Sequence, residues 1–230
     1  MKKIYIVHGW TYSLDFWKPI TSYFKEKDIE PIFLKVPGLT EPSDEVWDID
    51  SYVDWLNDKL KNETKPILVG HSNGGRIAMS FVQKYPDKLS KLILIDSAGV
   101  AHTEFLPKLK LKILKVISKI GRVFTIIPGV KKLFYKLIGA QDYLNAPPNM
   151  KKTMANMLAA DKNINPRNIS VPTTIIWGKN DLITPLKDGQ KLFSLIPEST
   201  IHIIDDARHS PFANHPEEVA DIIERVVEEK

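Results

Sequence analysis

Six short runs of β-branched and apolar residues punctuate the chain, at 4–7, 32–36, 67–69, 92–95, 173–177 and 200–204. Continuous runs of this length are the pattern of strands buried on both faces. Stretches with helical spacing of apolar residues lie between them, at 13–27, 50–61, 73–85, 185–196 and 216–229, the last three opening at or near a proline or asparagine. Strand alternating with helix predicts a doubly wound, mainly parallel sheet of about six strands. In such sheets chemistry collects at the carboxyl ends of the strands, so the residues just after each run carry the functional question.

With 230 residues, 43% of them hydrophobic, the chain can enclose one substantial core and a small insertion. The rhythm breaks once. Some seventy residues separate the fourth and fifth runs, far more than a crossover connection needs. Within that interval Lys108, Lys112, Lys115 and Lys119 fall on one helical face and Leu109, Ile113, Val116 and Ile120 on another. Pro128-Gly129 then interrupts the pattern before a further stretch at 131–139. The expectation is a sheet-based core formed by 1–98 and 170–230, with 99–169 inserted as a helical lid.

Charge supports a separate character for that insertion. Residues 100–165 hold twelve Lys or Arg against three Asp or Glu, a local +9 in a chain of +4, so the remainder is net acidic at −5. Most such stripes are solvated faces over an apolar underside, although these lysines could also attract an anionic substrate or lipid surface. No nucleic-acid-binding signature accompanies the charge, so no nucleic-acid partner is expected. Cysteine is absent, which removes disulfides, thiolate nucleophiles and sulfur-ligated metals. H-E-x-x-H is absent, and neither phosphate-binding glycine pattern occurs, so no cofactor or metal is expected. The first apolar run is too short for a signal peptide and no run of about 18 apolar residues is present, so the expectation is a soluble, cytoplasmic protein.

Directly after the third run the chain reads Gly70-His71-Ser72-Asn73-Gly74-Gly75, a G-x-S-x-G motif opening a helix. A serine at a sharp strand-to-helix turn needs neighbours without side chains for the turn to close, and it then projects above the sheet. Chance placement of the 11 Gly and 13 Ser yields the motif roughly 0.03 times per chain, before its structural context is required. The helix start also aims free backbone N–H groups at negative charge developing on a substrate.

A serine hydroxyl needs a general base, and histidine has the suitable pKa. Of the six histidines, His209 follows the last run on a loop at a carboxyl end and is the candidate. His202 lies within that run, His215 opens the final helix, and His102 belongs to the insertion. His71 neighbours the serine but should point elsewhere, and His8 reads best as a brace for the loop after the first run. A carboxylate must fix the imidazole tautomer. Asp181, straight after the fifth run, is the candidate and Asp96, after the fourth, is its rival. The backbone N–H of Asn73 supplies one oxyanion donor, and Trp10 in His8-Gly9-Trp10 is the softer candidate for the second. Trp10, Trp17, Met154, Met157 and Phe212 are candidate substrate-binding residues, with methionine suited to an adaptable wall.

These motifs resemble the α/β-hydrolase superfamily, particularly its compact serine esterases and carbon–carbon bond hydrolases with a helical lid. The resemblance rests on His8-Gly9-Trp10 as oxyanion loop, Gly70 to Gly74 as nucleophile elbow, Gly178-Lys179-Asn180-Asp181 as acid turn and Arg208-His209-Ser210-Pro211 as histidine loop. It implies a minimal version of that fold and a catalytic triad in the order Ser72, Asp181, His209. Ser72 at the nucleophile position sets the chain apart from relatives that use aspartate there. Asn73, and the lack of an H-G-G-G run, depart from the carbon–carbon hydrolase and lipase patterns.

The leading expectation is a carboxylesterase that cleaves small to medium apolar acyl esters, its partner a small-molecule ester. A vinylogous diketone hydrolase using the same triad is the first alternative. A ligand receptor that retains the fold without turnover is the second.

Overall fold

The computed structural model describes residues 1–101 and 146–229. The chain divides into two compact units, one formed by residues 1–100 with 147–230 and the other by 101–146. The lysine-striped helices expected at 108–139 lie outside the described residues.

The first unit is built on a six-stranded parallel sheet in the order β2-β1-β3-β4-β5-β6. Its strands are β1 (Lys2–Val7), β2 (Ile29–Leu34), β3 (Ile67–His71), β4 (Lys91–Ile95), β5 (Thr173–Gly178) and β6 (Ser199–Ile204). The helices are α1 (Lys18–Glu26), α2 (Ile49–Lys59), α3 (Asn73–Lys84), α4 (Pro148–Ala160), α5 (Leu186–Leu195), the short α6 (Pro211–Asn214) and α7 (Pro216–Glu228). Strand order reverses between β1 and β3, so the crevice beyond their carboxyl ends is the position where ligands collect in this architecture.

The central strands are apolar on both faces because helices cover both. On one face Ile4, Ile6, Val69, Ile93 and Ile176 join Ile20 and Phe24 of α1 and Val219, Ile223 and Val226 of α7 in one buried cluster. Tyr52 and Leu56 of α2 and Ile77 and Phe81 of α3 are likewise buried. Among the described residues no helix is long and apolar enough to cross a membrane.

Two element boundaries differ from the sequence reading for identifiable reasons. β2 begins at Ile29 and carries Pro31 within it, which is tolerated because β2 is an edge strand and one flank of it needs no N–H partner. The stretch 13–27 divides into a 3₁₀ turn, Asp15–Trp17, and α1. Pro19 lies in the first turn of α1, where its missing N–H costs nothing. α2 is capped by Asp48, whose side chain accepts from the Ser51 N–H at 2.8 Å.

The larger correction concerns 147–169, expected to belong to the lid. These residues group with the sheet unit, and polar contacts show why. Thr153 on α4 is fully buried and its Oγ1 accepts from the Trp47 N–H at 2.9 Å. Asn149 and Asn156 donate to the carbonyls of Ser43 and Trp47 at 3.1 Å each. The Asn165 N–H donates to Gln83 Oε1 of α3 at 3.0 Å. Met150 of α4 also packs there, its sulfur filling the place where a Cβ on Gly38 would stand. Thr153→Val keeps the shape of the side chain and removes the acceptor. It should cost about 1–2 kcal/mol in urea unfolding, and an unchanged midpoint would show that this contact does not hold α4.

Candidate active site

β3 ends in a backbone that few side chains tolerate: Ser72 has φ 52° and ψ −119°. Such a conformation persists only where the surroundings fix it, and here they do. The Ser72 N–H donates to the Ile95 carbonyl at 3.1 Å, and the Ser72 carbonyl accepts from the Ala98 and Gly75 N–H groups at 2.9 and 3.0 Å. The turn closes because its neighbours are glycines. A Cβ on Gly74 would collide with the Val7 carbonyl oxygen, and one on Gly70 would lie 2.7 Å from the Gly75 Cα. The loop after β1 passes equally close, since a Cβ on Gly9 would stand 2.9 Å from the Ser72 Cβ.

Two other strand ends deliver the partners. Beyond β5 and β6 the loops are joined by backbone bonds: the Lys179 N–H donates to the Ile204 carbonyl at 3.0 Å and the Asn180 N–H to the Ala207 carbonyl at 2.8 Å. Gly178 permits this approach, because a Cβ there would strike the Arg208 carbonyl oxygen. His209 Nε2 then lies 2.9 Å from Ser72 Oγ, and His209 Nδ1 lies 2.7 Å from Asp181 Oδ2. The structure thus brings together the three side chains singled out in the sequence, separated by up to 137 positions.

Asp181 is buried, which by itself pushes its carboxyl up, but the hydrogen bonds from His209, Thr184 and the Ile183 N–H prevail and hold it below the ordinary carboxylate value. Its Oδ1 accepts from the N–H groups of Ile183 and Thr184 at 2.7 and 3.1 Å, and its Oδ2 accepts from Thr184 Oγ1 at 2.7 Å. Thr184 Oγ1 also lies 3.2 Å from His209 Nδ1. Sequence reading missed Thr184; its one signal is a hydroxyl three residues after the acid, a common turn-forming spacing.

His71 does not approach Ser72 Oγ as a base. Its Nε2–H donates to the His209 carbonyl at 2.8 Å, so it props the backbone of the histidine loop. Complete burial, and next the neighbouring His209, drive its pKa down to about 3, which keeps it a neutral strut. His8 is also buried and its pKa is lowered by that burial. Its ring nitrogens lie 2.8 Å from the Gly9 carbonyl and 2.7 Å from Thr40 Oγ1, which ties down the loop after β1.

Asn73 is the first residue of α3, where a backbone N–H has no partner within the helix. Its side-chain Oδ1 accepts from Arg76 Nη1, and its Nδ2 is buried without a partner among the described residues. Arg76, itself buried, forms a two-point ion pair with Asp161. Trp10 is half-buried and its indole N–H has no acceptor among the described residues.

Two candidate substrate-binding residues are corrected. Trp17 and Phe212 are 2% and 1% exposed, and their rings stack at 3.7 Å between centroids with 7° between planes. Phe212 meets His71 edge-on at 4.9 Å. Both belong to the core that backs His71, because the large flat area they hide is worth more buried than as a pocket wall. On α4, Met157 is buried and Met154 half-buried.

Asp96, the rival acid, is fully buried, with φ 42°. Its Oδ1 accepts from the Gly178 N–H at 2.8 Å and its Oδ2 has no partner among the described residues. Burial, and then the Asp181 charge, raise its carboxyl to about 8. Among the described residues His71, Asp96 and His209 are the group whose potential metal-ligating atoms lie within 4.8 Å of one another. Both His209 nitrogens and His71 Nε2 are committed to protein partners, which makes the group a poor cation cage.

A carboxyl that is neutral when folded and ionised when unfolded destabilises the fold as pH rises from about 4, its unfolded value, to about 8. Asp96→Asn removes this linkage and keeps the Oδ1 acceptor for Gly178. The variant should therefore gain at least about 1 kcal/mol on the parent between pH 5 and pH 8 in urea unfolding; a constant difference would contradict a neutral Asp96.

A parallel sheet with a strained serine at the switch point and its partners on the last two strand ends is an α/β-hydrolase fold. The family model described as serine aminopeptidase, S33, matches residues 2–216, and the chain belongs to this family. The esterase of Exiguobacterium antarcticum superposes with a TM-score of 0.75 at 19% identity, covering 100% of this chain and 92% of that one. Human monoacylglycerol lipase ABHD6 is 24% identical over 252 residues, covering 96% of this chain and 73% of the lipase. Uncharacterized protein Rv2715 of Mycobacterium tuberculosis is 23% identical over 211 residues, 79% of this chain and 62% of the relative. The chain thus spans less than two thirds of the length of that mycobacterial protein.

Proposed function

We propose that this protein is a serine hydrolase that cleaves carboxylic esters of small to medium apolar acyl groups through an acyl-enzyme. The observation that carries the reading is the continuous contact Ser72 Oγ, His209 Nε2, His209 Nδ1, Asp181 Oδ2, at 2.9 and 2.7 Å. The likeness to an esterase and to a monoacylglycerol lipase supports it.

In this reading Ser72 Oγ attacks the acyl carbon while its proton passes to His209 Nε2. The Asp181 carboxylate, held ionised by its four hydrogen-bond donors, fixes the Nδ1–H tautomer and offsets the imidazolium charge. The Asn73 N–H, together with that of Trp10, receives the oxyanion. His209 returns the proton to the leaving alcohol, and a water then takes the place of that alcohol to release the acid. The left-handed backbone of Ser72 keeps the hydroxyl at this position before substrate arrives, so little reorganisation opposes the attack.

Ser72→Ala should lower kcat/KM on p-nitrophenyl acyl esters by at least about 1,000-fold, with the thermal melt unchanged. Equal rates for variant and parent would eliminate the mechanism. A series of acyl chain lengths on the parent should peak at short to medium chains, and turnover confined to long chains would contradict the substrate class.

A further inference from the structure

The mechanism uses one carboxylate, yet the site holds two. Asp96 follows β4 with its side chain fully enclosed and one oxygen without a partner among the described residues, an arrangement that costs stability unless something uses it. A carboxylate oxygen of Asp96 and a ring nitrogen of His209 lie within 4.8 Å of each other, and Thr184 Oγ1, 2.7 Å from Asp181 Oδ2, lies 3.1 Å from the main-chain carbonyl of Asp96.

The two acids compete for one negative charge. Neighbouring buried carboxyls cannot both ionise cheaply, so the one with more donors takes the charge. Asp181 has four, from His209, Thr184 Oγ1 and the N–H groups of Ile183 and Thr184, whereas Asp96 has the Gly178 N–H. The groups facing Asp96 are Gly178 and Asp181 from the end of β5, His71 from β3 and His209 from the loop after β6. Only Asp181 among these carries a negative charge, so neutralising it removes the one charge that opposes ionisation of Asp96 and leaves burial as the remaining opposition.

We propose that Asp96 is a reserve positioning carboxylate for His209, which orients the imidazole and offsets its charge once the Asp181 carboxylate is lost. The proposal rests on the reading of Ser72 and His209 as nucleophile and base. When Asp181 is neutral, Asp96 gives up its proton to solvent and a carboxylate oxygen, already within 4.8 Å of a His209 ring nitrogen, turns toward Nδ1. Asp96 touches no reacting atom and acts through His209 alone.

The test compares Asp96→Asn, Asp181→Asn and the double variant on a p-nitrophenyl ester at pH 7, with thermal melts as a folding control and Ser72→Ala as the control for the hydrolytic reading. Asp96→Asn should stay within about threefold of the parent, since an asparagine side chain resembles the protonated acid. Asp181→Asn should lose about 100-fold in kcat, and the double variant about 10,000-fold, the loss expected when no carboxylate serves the imidazole. A double variant within about threefold of Asp181→Asn would overturn the proposal. Ser72→Ala as active as the parent would instead overturn the hydrolytic reading. Should either protein carrying Asp96→Asn fail to fold, the downfield imidazole N–H proton resonance of His209 decides the matter in Asp181→Asn alone. Its persistence at pH 7 supports a second carboxylate partner, and its loss refutes one.

Discussion

One residue in a left-handed backbone governs the geometry of this molecule. Ser72 can hold φ 52° only because β4 grips both its N–H and, through Ala98, its carbonyl, and because glycines stand where any Cβ would strike backbone. The serine therefore holds this conformation only within the assembled sheet. Strain at this point is repaid by a hydroxyl fixed at the rim and by a helix start directly behind it.

The other half of the arrangement comes from backbone rather than from side chains. His209 and Asp181 meet because the loops beyond β5 and β6 are stitched together by main-chain hydrogen bonds, at a place where Gly178 lets the strands come close. His71 then props the histidine loop from the β3 side, and the stacked Trp17 and Phe212 back His71. Each device acts on the position of one imidazole, and His71, Trp17 and Phe212 are buried, which strengthens the contacts they make. The same burial raises Asp96 and lowers His71 and leaves Asp181 as the ionised acid of the group.

Much of this was legible in the sequence because the informative residues sit at strand ends, where spacing alone places them. Gly70 to Gly75 announces a turn, and His209 and Asp181 follow apolar runs at the same edge. What stayed hidden depends on contacts between distant segments. Nothing around Thr153 or Asn149 says that α4 docks on the 38–47 segment, so residues 147–169 read as insertion although they group with the unit that holds the sheet. Trp17 and Phe212 looked like pocket walls because aromatic side chains near a site serve either purpose, and only their mutual stacking decides. Arg76 shares its helical face with Asn73, Ser80 and Gln83 and so carried no local signal, and its partner Asp161 lies 85 residues away. The role of His71 turned on which of its nitrogens faces a carbonyl, which sequence does not encode locally.

The claim on which the account stands is that Ser72, among the 13 serines, is made nucleophilic by its neighbours. Treatment with diisopropyl fluorophosphate followed by peptide mass spectrometry tests it directly, because the reagent phosphorylates an activated serine and spares ordinary ones. The account predicts a single adduct on the peptide containing Ser72, formed by the parent and lost in His209→Ala. An unmodified protein, or adducts on other serines with Ser72 untouched, would contradict it.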